Sequence, residues 1–466
     1  MKRAKISSLF LAAAITLLLA TCSDGMGEGE FATVTIRLGN SDPSRQLVAI
    51  NADGNPTSET HTYKLFVKAN PSASASKIID MVIDHTTGHL TASGVPTGKK
   101  ILEVRAYGIA DNIWPASADG TPGHPFEREN VLRAIGLSGS VTISTNQTTK
   151  VSIDLHSALD VSSWEELKWA AESEPDENDK NRKEIIILKP NATTGAWDAT
   201  STITIERPIE IRAEGNVTIT RAHAAAPSNG FNGPFFEVNF SDDPTNGIIN
   251  GKLAIGRTLP ANLTTSPPDG EPDTGINIGD AITLDGGKWD EDTNPRLTSP
   301  LIIANADCTI GKSIILRNNN NYYTANSEGT PGGGVYVNSG TFKLFGQIKN
   351  NSAEENGGGV YIKDGSFVME DGAVIAGNIA KSGSGGGVNV TGGTFIMTGG
   401  RITGNGCGGD GGGVYVGSGT FEINSPAKSG DVPDGSVTNN ENSNVSKGSG
   451  GTLSGTGLAT SDDNGW

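Results

Sequence analysis

The sequence predicts an all-β protein: an N-terminal antiparallel β-sandwich, followed by a single-stranded parallel β-helix that begins with a short capping helix. Short segments that alternate apolar and polar residues, separated by Gly, Pro, Asn and Asp, favour strands along most of the chain. Glycine is about twice as frequent as usual, with 63 among 466 residues. A phrase led by three glycines occurs four times, beginning at Gly332, Gly357, Gly385 and Gly411.

A chain of 466 residues is long enough for two or three domains with a sizeable core. Changes in composition along it predict five parts. These are a lipoprotein signal peptide (1–21), a tether (22–30), the β-sandwich (31–157), the β-helix (158–445, with clear repeats in 332–440) and a C-terminal tail or end cap (446–466).

The N-terminus has the pattern of an export signal. Basic residues within 1–5 precede the apolar run ISSLFLAAAITLLLA, which ends in Leu-Ala-Thr-Cys at residues 19–22. This ending resembles a bacterial lipobox, although Thr21 stands where Gly, Ala or Ser is usual. The resemblance implies that Cys22 carries lipid and attaches the protein to a membrane, at the bacterial outer membrane or cell surface. An ordinary secretory signal or an uncleaved anchor remains the alternative.

The charge and the cysteine content limit which partners, disulfides and cofactors are expected. The formal net charge is −17, and a surface this acidic repels nucleic acid, so no nucleic-acid partner is expected. Beyond Cys22, only Cys308 and Cys407 remain, and they fall on different predicted coils, so no disulfide framework is expected. Cys308 is interpreted as a core residue and Cys407 as a turn residue near solvent. No metal or other cofactor is expected.

Residues 31–157 contain six or more short alternating segments, among them FATVTIRL, HTYKLFVKA, SKIIDMVID and TKVSIDL. They predict the antiparallel sandwich. The phrase GVPTGKKILEVRAYG resembles the turn and strand of transthyretin-like or immunoglobulin-like modules of exported proteins.

A helix is predicted at SWEELKWAAESE, where Ser163 and Glu166 have the spacing of a capping box. Trp164, Leu167, Trp169 and Ala170 form its apolar side. A short amphipathic helix before closely spaced strands resembles the start of a pectate-lyase-like β-helix, where such a helix covers the open end of the coil stack.

The repeats follow each other at intervals of 25, 28 and 26 residues, which is the length of one solenoid coil. Because alternate side chains of a strand face opposite ways, like residues should stack on like inside the coils. The inward columns are predicted to be Val335/Val337, Val360/Ile362, Val388/Val390 and Val414/Val416; Phe342, Phe367, Phe395 and Phe421; and Ile348, Ile375, Ile402 and Val437.

Asn351, Asn378 and Asn405 follow the third strand of successive coils. Asparagine tolerates a left-handed corner, and its amide can bond the amide of the next coil, so both roles are predicted. The glycine triplets are predicted to turn the opposite corner, where a β-carbon would not fit.

These repeats resemble the right-handed parallel β-helices of bacterial surface proteins, and above all the polymorphic outer-membrane-protein-like repeats, which share the glycine-led start and the Phe…Asn pair. The resemblance implies architecture and is nearly silent about activity.

Three functions remain open. The leading hypothesis is non-enzymatic binding or adhesion through the lateral face of the β-helix and its loops, with a glycan or a host or surface protein as partner. Tyr336, Tyr361 and Tyr415, interrupted by Asn389, form its candidate stripe, and an ordinary outer-face ladder is the alternative. A polysaccharide lyase or hydrolase needs stacked acidic and basic groups, which the repeats do not offer, so no catalytic residue is assigned. The third possibility is a structural or antigenic surface stalk.

Overall fold

The computed structural model describes residues 31–39, 62–69, 75–84, 89–108, 131–154, 156–172, 184–190, 197–222, 231–243, 247–256, 281–287, 297–324, 329–424 and 436–455. The predicted signal peptide, Cys22 and the tether lie outside the described residues, as do residues 456–466 of the predicted tail. Nearly all of the described chain is β-structure, with a single helix in this part, so the predicted fold class is confirmed.

The first region is a β-sandwich. Its strands and the strand that follows are β1 (Phe31–Gly39), β2 (Thr62–Lys68), β3 (Lys77–Asp80), β4 (Val82–Asp84), β5 (His89–Pro96), β6 (Gly98–Gly108), β7 (Val131–Ile143), β8 (Thr148–Asp154) and β9 (His156–Val161). One sheet has the order β4-β5-β1-β8, and the facing sheet contains β3-β2-β6-β7. The pairs are antiparallel except β1 and β8, which run parallel.

The segment SKIIDMVID, predicted as one strand, divides at Met81 into β3 and β4, which belong to opposite sheets. The backbone N–H of Met81 donates to the carbonyl of Tyr63 at 2.9 Å, which satisfies the break. Apolar side chains from both sheets, including Val34, Leu65 and Val104, fill the space between them without exposure to solvent.

The second sheet of the sandwich does not end at β7. Strand β9 pairs antiparallel with β7 and parallel with the first strand of the β-helix, β10 (Glu184–Leu188), and the same sheet continues through fourteen strands. The predicted boundary between residues 157 and 158 therefore lies within β9. Below this join, β7 contributes Leu132 and Ile135 to a small apolar cluster shared with Ile185 and Ile187 of β10.

The helix α1 (Trp164–Glu172) lies at the start of the coil stack. The Ser163 hydroxyl accepts from the backbone N–H of Glu166 at 3.2 Å, as the capping box predicts. The reciprocal bond is shifted by one residue, because the Glu166 carboxylate accepts from the backbone N–H of Ser162 at 2.7 Å rather than from Ser163. The cap satisfies N–H groups that the first helical turn would otherwise leave unpaired.

Trp164 anchors this helix to the first coils. Its ring is buried between Phe235 and Phe236, with centroids 5.8 and 5.7 Å away, and its indole N–H donates to the carbonyl of Ser201 at 3.0 Å. Leu167 and Ala170 are buried beside it, as predicted, as is Ala171, whereas Trp169 is only partly covered.

The β-helix repeats three strands per coil, to which some coils add a fourth of two residues. Its early strands are β11 (Trp197–Ala199), β12 (Ile203–Ile205), β13 (Pro208–Ala213), β14 (Val217–Arg221), β15 (Phe236–Val238), β16 (Phe240–Asp243), β17 (Gly247–Asn250), β18 (Lys252–Ile255), β19 (Ile282–Asp285), β20 (Ile302–Ala304), β21 (Asp307–Ile310), β22 (Ile314–Arg317) and β23 (Asn320–Asn321). Strands β16 and β17 form an antiparallel hairpin that stands outside the coil pattern.

The later strands are β24 (Val335–Val337), β25 (Thr341–Leu344), β26 (Gln347–Lys349), β27 (Ser352–Ala353), β28 (Val360–Ile362), β29 (Ser366–Met369), β30 (Val374–Ala376), β31 (Ile379–Ala380), β32 (Val388–Val390), β33 (Thr394–Met397), β34 (Arg401–Thr403), β35 (Gly406–Cys407), β36 (Val414–Val416), β37 (Thr420–Ile423), β38 (Ser436–Thr438), β39 (Val445–Lys447) and β40 (Thr452–Gly455).

These strands form three long parallel faces. The valine face runs β12-β15-β20-β24-β28-β32-β36-β39, and the isoleucine face runs β11-β14-β19-β22-β26-β30-β34-β38. The phenylalanine face runs from β10 through β13, β18, β21, β25, β29, β33 and β37 to β40, and is the continuation of the sandwich sheet.

The predicted phenylalanine column is confirmed. Phe342, Phe367, Phe395 and Phe421 pair in register on successive coils, and each is at most 1% exposed. Their ring centroids are 5.2, 5.5 and 4.7 Å apart, so each ring contacts the next. Cys308 occupies the same column one coil earlier, opposite Phe342, and is fully buried, as predicted.

The valine and isoleucine columns are in the predicted register too, through Val437 on the last coil. The first glycine of each triplet has a positive φ, +91° at Gly332 and +68° at Gly411. The second has no room for a side chain, since a β-carbon at Gly333 would lie 1.9 Å from the carbonyl oxygen of Gly358. The predicted role of the triplets is thus observed.

The predicted backbone role of the asparagines is wrong. Positive φ values occur one residue earlier in each coil, at Asn350, Gly377 and Gly404, and not at Asn351, Asn378 and Asn405. The left-handed residue turns the chain at the corner, and the asparagine that follows it points its amide inward, where it is at most 1% exposed.

The interpretation of Cys407 as a turn residue near solvent is also wrong. It lies in β35, stacked in register on Ala380, and is 7% exposed. The surrounding glycines favour a turn locally, but a fourth short strand passes through this corner of the coil. Burial raises the pKa of the Cys407 thiol.

Candidate binding face

The predicted tyrosine stripe follows the outer side of the valine face. Tyr336, Tyr361, Asn389 and Tyr415 pair in register on β24, β28, β32 and β36, as the repeats predict. Their exposure differs from the prediction, because Tyr336 is only 9% exposed, while Tyr361 and Tyr415 are half-buried. The column is an edge of aromatic rings that is partly covered, rather than a freely exposed stripe.

Tyr336 and Tyr361 stack on each other. Their ring centroids are 5.8 Å apart with planes inclined by 18°, and the Tyr336 hydroxyl is 3.4 Å from Oδ1 of Asn338. Burial raises the pKa of Tyr336 to about 12, and the neighbouring Tyr361 and Tyr323 add to the shift. The Tyr336 hydroxyl is therefore a neutral hydrogen-bonding group at physiological pH.

Asn389 replaces a tyrosine in the middle of this column. Its side chain is 1% exposed, and its Nδ2 donates to the carbonyl of Ser384 at 2.9 Å. Its Oδ1 is buried without a hydrogen-bond partner. The asparagine therefore fastens the loop that precedes β32 to the face, and it separates Tyr361 from Tyr415 by two coil spacings, about 9.6 Å.

A further tyrosine lies near the stripe, at a position that the repeat pattern does not mark. Tyr323 lies close enough to Tyr336 to influence its pKa. The neighbouring Tyr322 accepts a hydrogen bond from Nδ2 of Asn320 at 2.9 Å, and the Lys381 ammonium lies 4.3 Å from the centre of its ring. These residues follow β23, and only their position across the coil brings them to this side of the valine face.

The predicted asparagine ladder is observed. Nδ2 of Asn351 donates to Oδ1 of Asn378 at 3.1 Å, and Nδ2 of Asn378 donates to Oδ1 of Asn405 at 3.0 Å. Each Nδ2 also donates to a carbonyl of the preceding coil, as Asn378 does to Ile348 at 3.0 Å. One amide thus bonds both neighbouring coils, and the ladder continues to Asn440, whose Oδ1 is 2.9 Å from Nδ2 of Asn405.

The ladder begins at a buried arginine. Asn319 precedes Asn351 in the column, and Nη2 of Arg221 donates to its Oδ1 at 3.1 Å. Arg221 is 1% exposed, donates to the carbonyl of Gly233, and lies 5.0 and 4.9 Å from the ring centres of Phe231 and Phe235. Burial lowers the pKa of Arg221 to about 9, because the carbonyls and rings around it carry no compensating charge.

A second amide ladder, which the repeat pattern does not predict, runs along the corner between the valine and phenylalanine faces. Nδ2 of Asn338 donates to Oδ1 of Asn305 at 2.9 Å, and Nδ2 of Asn305 donates to Oδ1 of Asn239 at 2.7 Å. The spacing of these asparagines in sequence, 33 and 66 residues, would reveal the ladder only once the coil boundaries were known.

The outward column of the phenylalanine face reads Lys343, Val368, Ile396 and Glu422 in register, as predicted. It therefore brings no two carboxylates together on neighbouring coils. Within the described ranges, no three His, Cys, Asp or Glu side chains form a group that could hold a metal ion.

An ion-pair chain, buried except at Glu214, links the sandwich to the β-helix. Glu103 of β6 accepts from Lys68 and from Arg105, each at 2.8 Å, and Arg105 also donates to Glu214, which follows β13, at 3.1 Å. Burial alone would lower the pKa of Arg105, but the carboxylates of Glu103 and Glu214 raise it above its ordinary value. The guanidinium therefore stays charged across the join.

The described part of the chain contains no helix that is both long and apolar enough to cross a membrane. Compared with protein-family models, with curated proteins and with solved structures, the chain matches none of them.

Proposed function

We propose that this chain is a lipid-anchored bacterial surface protein that binds a glycan or a protein of another surface through the lateral valine face of its β-helix. Cys22 would carry the lipid, at the outer membrane or cell surface, and the role would be adhesive and not enzymatic. The protein would reach the membrane through this lipid.

The observation that supports the proposal is the aromatic edge itself. The stacked pair Tyr336 and Tyr361, with Tyr415 two coils further on, places ring edges and hydroxyl groups in one column along one side of the solenoid. Tyrosine combines a large apolar surface with a polar tip and loses little conformational entropy on binding, which makes it frequent at recognition surfaces. A ligand with regularly spaced groups would contact several coils at once.

The test measures binding of the purified protein to glycan arrays and to immobilised host-matrix proteins. Tyr361→Ser together with Tyr415→Ser should reduce binding at least about tenfold, since two contact side chains would be lost. Val368→Ser, on the outer side of the phenylalanine face, is the matched control and should bind like wild type. Unchanged binding in the tyrosine variant would refute the role of the valine face.

Turnover of acidic polysaccharides, assayed with and without calcium, would contradict the non-enzymatic part of the proposal. Protease treatment of intact cells tests the proposed location at the cell surface. The β-helix should be cleaved when whole cells are treated. Protection from protease in intact cells, with cleavage after lysis, would rule out adhesion.

A structural stalk is the second candidate, and the continuous fourteen-stranded sheet favours it. The ion-pair chain of Lys68, Glu103, Arg105 and the partly exposed Glu214 ties the two regions together, which suits a spacer that holds a fixed direction. If neither arrays nor matrix proteins bind wild type while the protein is exposed on cells, the stalk becomes the better description.

A further inference from the structure

A shallow cavity of about 300 Å³ that opens widely to solvent lies at one end of the sandwich, far in sequence from the tyrosine stripe. The start of β1, the end of β5 and the turn between β7 and β8 surround it. Its lining residues are Phe31, Ala32, Thr33, Gly94, Asn146, Gln147 and Thr148.

Two backbone irregularities open this cavity. Gly94 is a bulge in β5, because Ala32 pairs with Val95 and Thr33 pairs with Ser93, so Gly94 has no partner in β1; its φ is +73°. Asn146, in the turn before β8, has a φ of +55°. Bulges often adjust a strand beside a binding site, and here both departures from regular structure border the same space.

The lining combines one aromatic wall with polar rims. Phe31 is 52% exposed, so part of its ring is open to solvent. Asn146 and Gln147 each offer an amide that donates and accepts, and Thr33 and Thr148 offer hydroxyl groups. An aromatic surface bordered by amides and hydroxyls suits a ring that has an apolar face and hydroxyl groups at its edge, which is the character of a pyranose.

A cation stands at the border of the cavity. The Lys77 ammonium lies 4.4 Å from the centre of the Phe31 ring and donates to the carbonyl of Gly94 at 2.8 Å. An ammonium has three N–H donors, and this carbonyl takes one of them. The positive charge of Lys77 at this border would favour a ligand that carries a negative group.

We propose that this cavity binds one acidic pyranose unit, with the sugar ring against Phe31 and its carboxylate near Lys77. The site is separate from the valine face, so it would add a second point of carbohydrate contact at the sandwich end.

The experiment is saturation-transfer NMR on the full-length protein with Cys22→Ser to remove the lipid site, using galacturonic acid as ligand and galactose as the neutral comparator. Wild type should show transfer from galacturonic acid and bind it more tightly than galactose. Phe31→Ala and Lys77→Gln should each weaken galacturonic acid binding about tenfold, and Lys77→Gln should abolish the preference for the acid. Val82→Ala, at another exposed apolar side chain (72%), is the control and should leave binding unchanged.

Absence of transfer from both sugars in wild type would overturn the proposal, as would equal binding in wild type and Phe31→Ala. The Tyr361→Ser and Tyr415→Ser variant should bind galacturonic acid normally, which keeps this outcome distinguishable from failure of the proposed valine-face function. A second arm replaces the free sugar by phosphatidylcholine vesicles with and without a uronic-acid glycolipid, and so decides whether the sugar comes from a soluble polymer or from a membrane surface.

Discussion

The early coils, up to β23, and the late coils, from β24 to β37, have the same three faces and the same register, but different residues fill them. In the late coils phenylalanine stacks on phenylalanine, whereas the early coil places Cys308 in that column. The late corners carry the asparagine ladder, whereas the corresponding corner of the early coils holds Gly286, after β19, next to Asn319, and Arg221 lies one coil earlier.

The difference shows that the backbone path sets a requirement at each position, such as an apolar side chain or a paired polar group. Several residue types can meet the same requirement. An inward position requires an apolar side chain, which cysteine meets as well as phenylalanine. A corner position favours pairing of its buried polar groups, which asparagine amides achieve by repetition. Arg221 achieves it only at its two Nη atoms, through carbonyls and one amide, while its Nε is buried without a hydrogen-bond partner. The repeat can be recognised in the sequence only where successive coils use the same residue type at the same position.

The largest difference in stability between the early and the late coils is expected from substitutions in the inward phenylalanine column. Phe395→Ala should lower the free energy of unfolding by about 3–5 kcal/mol, because a fully buried ring is lost between two others. Cys308→Ala, in the same column, should cost about 1 kcal/mol, since only one heavy atom is removed. Urea unfolding followed by circular dichroism measures both, and equal losses would contradict the column as the source of late-coil stability.

The ladder gives the next effect. Asn378→Ala should lower the free energy of unfolding by about 3 kcal/mol, because partners on both neighbouring coils lose their hydrogen bonds. The matched control is Asn389→Ala, an equally buried asparagine that makes one hydrogen bond, and its cost should be about 1 kcal/mol. A ladder variant no worse than this control would show that the amides fill space without joining the coils.

A smaller loss is expected at the arginine that begins the ladder. Arg221→Met should lower the free energy of unfolding by about 1–2 kcal/mol, since lost hydrogen bonds to Gly233 and Asn319 are partly offset by relief from burying an uncompensated charge. The same urea unfolding measures it. A loss as large as that of Asn378→Ala would mean that Arg221 is an essential end to the ladder and not one replaceable solution.

The smallest effect concerns the two thiols, Cys308 in the early coils and Cys407 in the late coils. In the Cys22→Ser protein, Cys407 should react with a maleimide about tenfold faster than Cys308, because it is 7% exposed whereas Cys308 is fully enclosed. Burial raises the pKa of both thiols, so both should react more slowly than a free cysteine. Cys308→Ala and Cys407→Ala assign the two rates by mass spectrometry, and faster labelling of Cys308 would contradict the arrangement of the coils.

Periodicity predicted the late coils well, because an inward valine or phenylalanine and a glycine corner each leave a distinct mark in the sequence. It failed where the requirement is set across coils. Cys407 sits among glycines that locally favour a turn, and only its stacking on Ala380 makes it a buried strand residue. The left-handed residue at the asparagine corner is Asn350 in one coil and Gly377 in the next, so residue type alone does not mark it.

The candidate face was predicted only in part for the same reason. The strand register correctly predicted that Tyr336, Tyr361 and Tyr415 share one column. Register determines which side of a strand a residue faces, but it does not determine how far other segments cover that residue. Tyr323 lies close enough to Tyr336 to raise its pKa, and this approach depends on the path of the whole coil. The bulge at Gly94 and its cavity were not foreseen, because a single glycine in a strand does not reveal which neighbours it will face.

The unbroken sheet that joins the sandwich to the solenoid has a mechanical consequence. Its nine solenoid strands extend about 38 Å at a spacing near 4.8 Å, and a load applied to the sandwich passes along them through main-chain hydrogen bonds instead of through a flexible linker. Such a body behaves as a lever, so whatever touches its far coils exerts torque at the near end. A force on the far coils would then both tilt and pull the sandwich end.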